Sequence, residues 1–211
     1  MCDYTKGMSV SLQLPNDENG DVLNLCILIG ILHRYHRLAL PFLALLFNAA
    51  QPAQAQSWTL TSAPSNNWAS IASSTNGAKL AAAVDGGGIY TSKDSGLSWQ
   101  ITSAPTCDWG AVASSADGTI LVAAAQGPNY VGPVYTSTDS GASWTSNNIP
   151  NLEWSSVSSS ADGLKLVAAA WEGFVYVSTN SGTTWALTSA PIIPWTSIAL
   201  SADGSELVGG A

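Results

Sequence analysis

The strongest constraint on the fold is an eight-residue stretch that the chain repeats. The pattern Ser-x-Asp-x-Gly-x-x-Trp occurs at 92–99 and 137–144, and at 178–185 with Asn180 in place of the Asp. With a remnant at 57–58, its tryptophans stand 41, 45 and 41 residues apart, and a second series, Trp68, Trp109, Trp154 and Trp195, keeps the same intervals. A fixed period of this length predicts stacked supersecondary units.

One unit, residues 109–150, has the pattern of four short strands. In residues 109–115, larger side chains alternate with small ones, as in a strand. A turn follows, in which the Asp117 side chain caps its own backbone and Gly118 supplies a positive φ. Residues 119–125 form a continuous apolar run, as in a strand buried on both faces. A Gly/Pro-rich loop, a third strand at 134–137, the repeated turn and a fourth strand at 144–149 follow.

Four antiparallel strands per repeat predict an all-β chain, a β-propeller of four-stranded blades. We expect about three complete blades, at 68–105, 109–150 and 154–191, and partial ones at 57–64 and 195–211, within a repeat region of 56–211. This count favours part of a larger propeller. The alternative is a small ring closed by a composite blade, which would lack its third strand.

The first 55 residues contain no repeat. Residues 1–31 form an unassigned leader, and the sequence predicts that the true translation start lies downstream of it. Residues 32–55 have the basic flank, apolar run and small-residue end of a secretory signal peptide. We therefore expect cleavage after Ala55 and a secreted mature chain, extracellular or periplasmic, without a membrane span. The alternative is a membrane anchor formed by an uncleaved signal.

Composition excludes several functions for the repeats. The formal net charge is −8, and residues 56–211 contain no Arg or His, so nucleic acid is an unfavourable partner. No His is available for Ser-His-Asp chemistry, and the carboxylates are spread singly, so we expect neither a metal nor another cofactor. Cys107 is the one cysteine in the repeats and is interpreted as a small loop residue.

The repeated stretch resembles the Asp-box, or BNR repeat, of sialidase-like β-propellers of the secreted bacterial type. The resemblance covers roughly residues 57–211. It implies that the box is the turn between the third and fourth strands, on the face opposite an active site. That face would then carry the structural residues Ser92, Asp94, Gly96, Trp99, Ser137, Asp139, Gly141, Trp144, Ser178, Asn180, Gly182 and Trp185.

The variable loops are the candidate binding face. Because constant turns maintain a fold while varied loops are free to bind, the repeats direct attention to residues that differ between units. They form a candidate ligand-binding set, and no catalytic residue is assigned: Asp85, Asp108, Tyr130, Glu153, Trp171 and Glu172.

The sequence favours an exported, non-catalytic propeller that binds carbohydrate or protein at this face. One alternative is a glycoside hydrolase, sialidase-superfamily-like or xyloglucanase-like, with paired carboxylates as the acid and base. A sialidase itself is excluded as the sequence stands, since that family binds the substrate carboxylate with three arginines and the repeats have none. A third reading is a protein-binding propeller resembling the photosystem assembly factors.

Overall fold

A computed structural model of the chain describes residues 60–127 and 130–211. They belong to the second of two units, Thr59–Ala211. The predicted leader, the signal peptide and the residues at 57–59 lie outside the described residues.

The described residues form strands arranged in four antiparallel sheets, each in sequential strand order. The first sheet contains β1 (Trp68–Ser73), β2 (Leu80–Val84), β3 (Ile89–Ser92) and β4 (Gln100–Ile101). The second contains β5 (Asp108–Ser114), β6 (Leu121–Gln126), β7 (Val134–Ser137) and β8 (Thr145–Ser146). The third contains β9 (Trp154–Ser159), β10 (Leu166–Ala170), β11 (Val175–Ser178) and β12 (Ala186–Leu187). The last contains β13 (Ser197–Leu200) and β14 (Leu207–Gly210). The all-β prediction with four-stranded antiparallel sheets is confirmed.

The alanine-rich second strands lie where the sheets pack against one another. Leu121, Ala123 and Ala125 of β6 face the first sheet, in a cluster with Ala81 and Ala83. The alternate residues of the same strand, Val122 and Ala124, face the third sheet. Because successive strand residues point to opposite faces, a strand between two sheets must be apolar throughout, which explains the continuous apolar runs.

An aromatic cluster recurs within each four-stranded sheet. The indole of Trp109 on β5 meets Tyr135 of β7 edge-on at 5.4 Å between ring centroids, and Trp144 at 6.4 Å. Trp68 makes the equivalent contacts with Tyr90 and Trp99. Edge and tilted geometries suit the ring quadrupoles. The two tryptophan series therefore meet because the first strand and the repeated turn share a face of the sheet.

The structure differs from the sequence-based expectations in two places. The fourth strands have only two paired residues each, so the strand expected at 144–149 is reduced to β8. The regular spacing of Trp68, Trp109, Trp154 and Trp195 predicts that all four are core residues. Trp109 and Trp154 are buried, but Trp195 is only half-buried. Trp68 is exposed, because no sheet of the described residues covers the outer face of β1.

Candidate functional site

The strands bring two kinds of connection to opposite ends of the sheets. One end, here the turn end, carries the turns between first and second strands, Asn-Gly in the first sheet and Asp-Gly in the others, and the repeated turns between third and fourth strands. Backbone hydrogen bonds join the two kinds of turn within a sheet: Ser95 N–H donates to Ala78 O at 3.0 Å, and Ser140 N–H donates to Thr119 O at 2.9 Å. The other end, the loop end, carries the loops between second and third strands and the connections between sheets.

The repeated turn is held together by its own side chains. In the second copy, Asp139 accepts hydrogen bonds from the Ser137 hydroxyl at 2.8 Å and from the backbone and hydroxyl of Ser143 at 2.8 and 2.6 Å. Buried Ser137 accepts the N–H of Gly141 at 2.8 Å. Gly141 has a φ of 86° and Ser140 a φ of 58°. The carboxylate thus closes a turn with two consecutive left-handed residues, of which only the glycine is easy to recognise from sequence.

The third copy keeps this network with an amide. The Asn180 oxygen accepts the Ser178 hydroxyl at 3.0 Å and the Thr184 N–H at 2.8 Å, while its Nδ2 donates to the Thr184 hydroxyl at 2.8 Å. An amide oxygen accepts hydrogen bonds as a carboxylate oxygen does. The Thr184 hydroxyl accepts from the amide, whereas the Ser143 hydroxyl at the same position of the second copy donates to Asp139. Asn180 therefore closes the turn without a charge.

The carboxylates of the turn end have low pKa values because they accept several hydrogen bonds. The Ser98 hydroxyl, followed by the Ser98 backbone and the Ser92 hydroxyl, lowers the pKa of Asp94 to about 2. The Ser143 hydroxyl is the main cause that lowers the pKa of Asp139. In the Asp-Gly turns, the hydroxyls of Ser115 and Ser201 are the largest causes that bring the pKa values of Asp117 and Asp203 to about 2.

We expect acid to weaken the fold through these turns. A carboxyl whose pKa is lowered by folding stabilises the protein fully above its unfolded pKa, and this stabilisation is lost as the pH falls through the folded value. The urea midpoint should therefore fall between about pH 4 and about pH 2. Asp139→Asn should flatten this fall, because the amide can close the turn as Asn180 does. The reverse change, Asn180→Asp, should steepen it. Identical pH profiles for both variants and the parent would contradict this prediction.

The loop end forms a continuous rim from one sheet to the next. Cys107, just before β5, forms an antiparallel bridge with Gly87 in the loop after β2. In the same way, Leu152, just before β9, pairs with Gly132 in the loop after β6. Burial of the Cys107 thiol raises its pKa, with a smaller contribution from the negative charge of Asp108. The thiol form is therefore favoured, which suits a packing role.

Two positions of the repeat supply most of the candidate binding residues. One is the residue before the first-strand tryptophan of the three four-stranded sheets: Asn67, Asp108 and Glu153. The other is the residue that follows the five apolar residues of each second strand: Asp85, Gln126 and Trp171. The two positions lie side by side, because Asp85 N–H donates to Asn67 O and Trp171 N–H donates to Glu153 O, at 2.9 and 2.8 Å.

Three of the candidate residues meet in the third sheet. Both carboxylate oxygens of Glu172 accept the N–H of Glu153 at 3.2 Å. Trp171 precedes Glu172 in the chain and its N–H donates to the Glu153 carbonyl, while its indole is exposed to solvent. The arrangement presents an aromatic surface on a loop that is braced on both sides by hydrogen bonds.

The remaining candidates lie along the first and second sheets. Asp85 accepts a hydrogen bond from Asn67 Nδ2 at 2.9 Å, and Asp108 Oδ1 lies beside the loop at Gly86, 3.8 Å from where a Cβ would stand. Tyr130 is exposed and has a φ of 65°, a conformation rare for a bulky residue. In the described residues no hydrogen bond links these residues to the Glu153–Glu172 pair.

Sequence reasoning assigned no role to Asn67. The available signal was its position, since Asn67 occupies the same place in the repeat as Asp108 and Glu153. Residues 60–127 and 130–211 contain no group of three or more His, Cys, Asp or Glu side chains placed to hold a metal ion.

In that same part of the chain, no helix is both long enough and apolar enough to cross a membrane.

No profile of a known protein family matches the chain, and no curated protein matches its sequence. Solved structures do match its fold. The GH74 enzyme of Niastella koreensis is 23% identical, with a TM-score of 0.52 over 65% of this chain and 20% of that one. The computationally designed Ika4 protein is 13% identical, with a TM-score of 0.59 over 74% and 92% of the two chains. YCF48 from Cyanidioschyzon merolae is 18% identical, with a TM-score of 0.50 over 63% and 40%.

The chain spans only about a fifth of the length of the GH74 enzyme. At these identities the likeness concerns the fold. Together with the four-stranded antiparallel sheets, these neighbours show that the chain has a β-propeller fold.

Proposed function

We propose that the chain is a non-catalytic binding module that takes carbohydrate at the loop end. The observation that carries this proposal is the exposed Trp171 indole beside the hydrogen-bonded pair Glu153 and Glu172. An exposed aromatic ring can stack on the apolar face of a sugar. Neighbouring carboxylates can accept strong hydrogen bonds from its hydroxyl groups.

The loop end is suited to an extended polymer. Polar side chains continue along the rim at the first two sheets: Asn67 and Asp85, which are hydrogen-bonded to each other, and Asp108. Tyr130 offers a second exposed ring. A rim of separated aromatic and polar positions favours a chain of sugars over a small ligand in one enclosed pocket. The Asp-box resemblance and the predicted signal peptide support an exported member of the sialidase-like propellers.

The competing proposal is a glycoside hydrolase, favoured by the fold likeness to the GH74 xyloglucanase from Xanthomonas campestris, at 18% identity and a TM-score of 0.51 over 65% of this chain. That chemistry needs one carboxyl to donate a proton and another to act as base or nucleophile. Here Glu172 is engaged by the Glu153 backbone and Asp85 by Asn67, which favours a bracing role for both carboxylates. A protein-binding propeller is the third candidate.

We expect the full chain to bind a soluble polysaccharide such as xyloglucan or another β-glucan, measured by isothermal titration calorimetry. Trp171→Ala should weaken binding about tenfold, or about 1.4 kcal/mol, because it removes the stacking surface. Leu97→Ala is the control, since Leu97 is also an exposed apolar residue, 77% against 46% for Trp171, and lies in a repeated turn at the opposite end.

Reducing-end release from the same polysaccharides separates the alternatives. We expect none. Turnover that Asp108→Asn or Glu153→Gln abolishes would establish the hydrolase, and absence of binding across a panel of polysaccharides would remove carbohydrate as the ligand.

A further inference from the structure

The first sheet presents an apolar face that is covered at every equivalent place in the chain. Ile71 of β1 is 66% exposed, whereas its counterparts Val112, Val157 and Ile198 are 7–8% exposed. Trp68 is 37% exposed, against 1% for Trp109. A groove of about 440 Å³ lies over this face, lined among others by Trp68, Ile71, Leu80 and Trp99. Exposed apolar area of this kind marks an interaction surface.

The last sheet presents the opposite half of the same interface. Val208 of β14 is 69% exposed, although its counterparts Val122 and Val167 are fully buried against the next sheet. Val122, for example, packs in one cluster with Trp154, Val157 and Leu166 of the following sheet. Within residues 60–127 and 130–211, no sheet covers Val208, although its equivalents pack beside a first-strand tryptophan and its neighbours or in the core of the next sheet.

The internal interfaces show how these two faces pair in detail. Ser70 Oγ accepts the N–H of Val112 in the next sheet at 3.1 Å, and Ser156 Oγ accepts that of Ile198 at 3.2 Å. At the turns between first and second strands, Thr75 N–H donates to Ala116 O, Ala116 N–H to Ala161 O, and Ala161 N–H to Ala202 O, at 2.7–2.8 Å. At the turns, each sheet therefore donates an N–H to the sheet after it and accepts one from the sheet before it. The serine hydroxyl, in contrast, accepts an N–H from the sheet after it.

The ends of this series are complementary. Among residues 60–127 and 130–211, no backbone N–H reaches the Thr75 carbonyl, and the Ala202 N–H has no backbone acceptor. Ser197 stands at the same repeat position as Ser70 and Ser156, so its hydroxyl is placed to accept the N–H of an Ile71. One molecule therefore carries the donor, the acceptor and the apolar halves of a further contact.

We propose that β13 and β14 of one copy of this chain pack on the β1 face of a second copy, head to tail. Val208 of the first copy enters the groove beside Trp68 and Ile71 of the second, and the Ala202 N–H donates to the Thr75 carbonyl. Because two different surfaces meet, the contact is heterologous and generates a ring or an open series of copies. A second copy is the favoured occupant because the interface repeats three internal ones.

The test begins with the mass of the full chain in solution, measured by light scattering after size exclusion at micromolar concentration. We expect an oligomer. Ile71→Asp removes the groove half and Val208→Asp removes the other half, so each variant alone should be monomeric. Both side chains are exposed in one copy, so both variants should keep the far-ultraviolet circular dichroism of the parent. Leu187→Asp is the control, since Leu187 is 54% exposed on an outer fourth strand and should leave the mass unchanged.

Mixing the two variants gives the decisive result. Ile71→Asp retains an intact Val208 end and Val208→Asp retains an intact groove, so an equimolar mixture should form a heterodimer with one wild-type interface. A monomeric parent chain would overturn the proposal and indicate that another segment or protein covers the groove. An oligomer that survives in Val208→Asp alone would also overturn it, because the groove would then pair with itself.

Discussion

Replacing Trp154 with alanine should destabilise the protein by about 3–5 kcal/mol, the loss expected for a large aromatic side chain in a close-packed core. Its indole is fully buried, and Nε1 donates a 2.8 Å hydrogen bond to the carbonyl of Gly132 in the preceding sheet. The change would leave a cavity between two sheets and a carbonyl without its donor. Since domains are stable by about 5–15 kcal/mol, a large part of the stability should disappear, as measured by urea denaturation.

The matched control is Trp68→Ala, at the same position of the repeat. Trp68 contacts Tyr90 and Trp99 but lies under no further sheet of the described residues. We expect a loss of about 1–2 kcal/mol at a concentration where the chain is monomeric, since only part of the indole surface leaves water on folding. Equal losses for the two variants would mean that a segment outside the described residues covers Trp68.

Gly182→Ala should be the most damaging small change in a repeated turn, at about 2–4 kcal/mol, from the left-handed backbone and from overpacking. Its φ is 87°, and an added Cβ would lie 2.5 Å from the Thr136 methyl of the second sheet. Gly96 has the same φ, but a Cβ there would meet Leu80 Cδ1 at 3.4 Å. Gly96→Ala should therefore cost only about 1–2 kcal/mol, the backbone part.

Comparing the urea midpoints of these two variants separates backbone strain from packing. The strain is common to both, so the difference between them measures the contact between sheets. If Gly96→Ala were as harmful as Gly182→Ala, backbone strain alone would account for the role of the repeated glycine.

The repeat allowed the strand pattern to be predicted from sequence because each signal is local. The alternation of residues, the Asp-Gly turns and the apolar second strands depend on neighbours a few residues away. The short fourth strands were not predictable in this way. Their outer edge lacks a partner strand, so β8 and its counterparts are paired only at Thr145–Ser146 and the equivalent residues.

The candidate site was predictable in position but not in its internal contacts. Variation between repeats pointed to Glu153, Trp171 and Glu172 as residues of one face. The bond from the Glu153 N–H to Glu172 depends on the backbone path of two separate loops, and no sequence interval encodes it. Asn67 was passed over for the same reason, since an exposed amide acquires meaning only beside Asp85.

The sequence by itself determined the architecture, because the 41- to 45-residue period and the Ser-x-Asp-x-Gly-x-x-Trp turn specify one strand arrangement wherever they occur. The tertiary structure decided which copies of a repeated residue are equivalent in practice. Trp68 and Trp154 have the same place in the repeat, but one is exposed and the other buried. Burial depends on what packs against a face, and that is a property of neighbouring sheets rather than of the repeat itself.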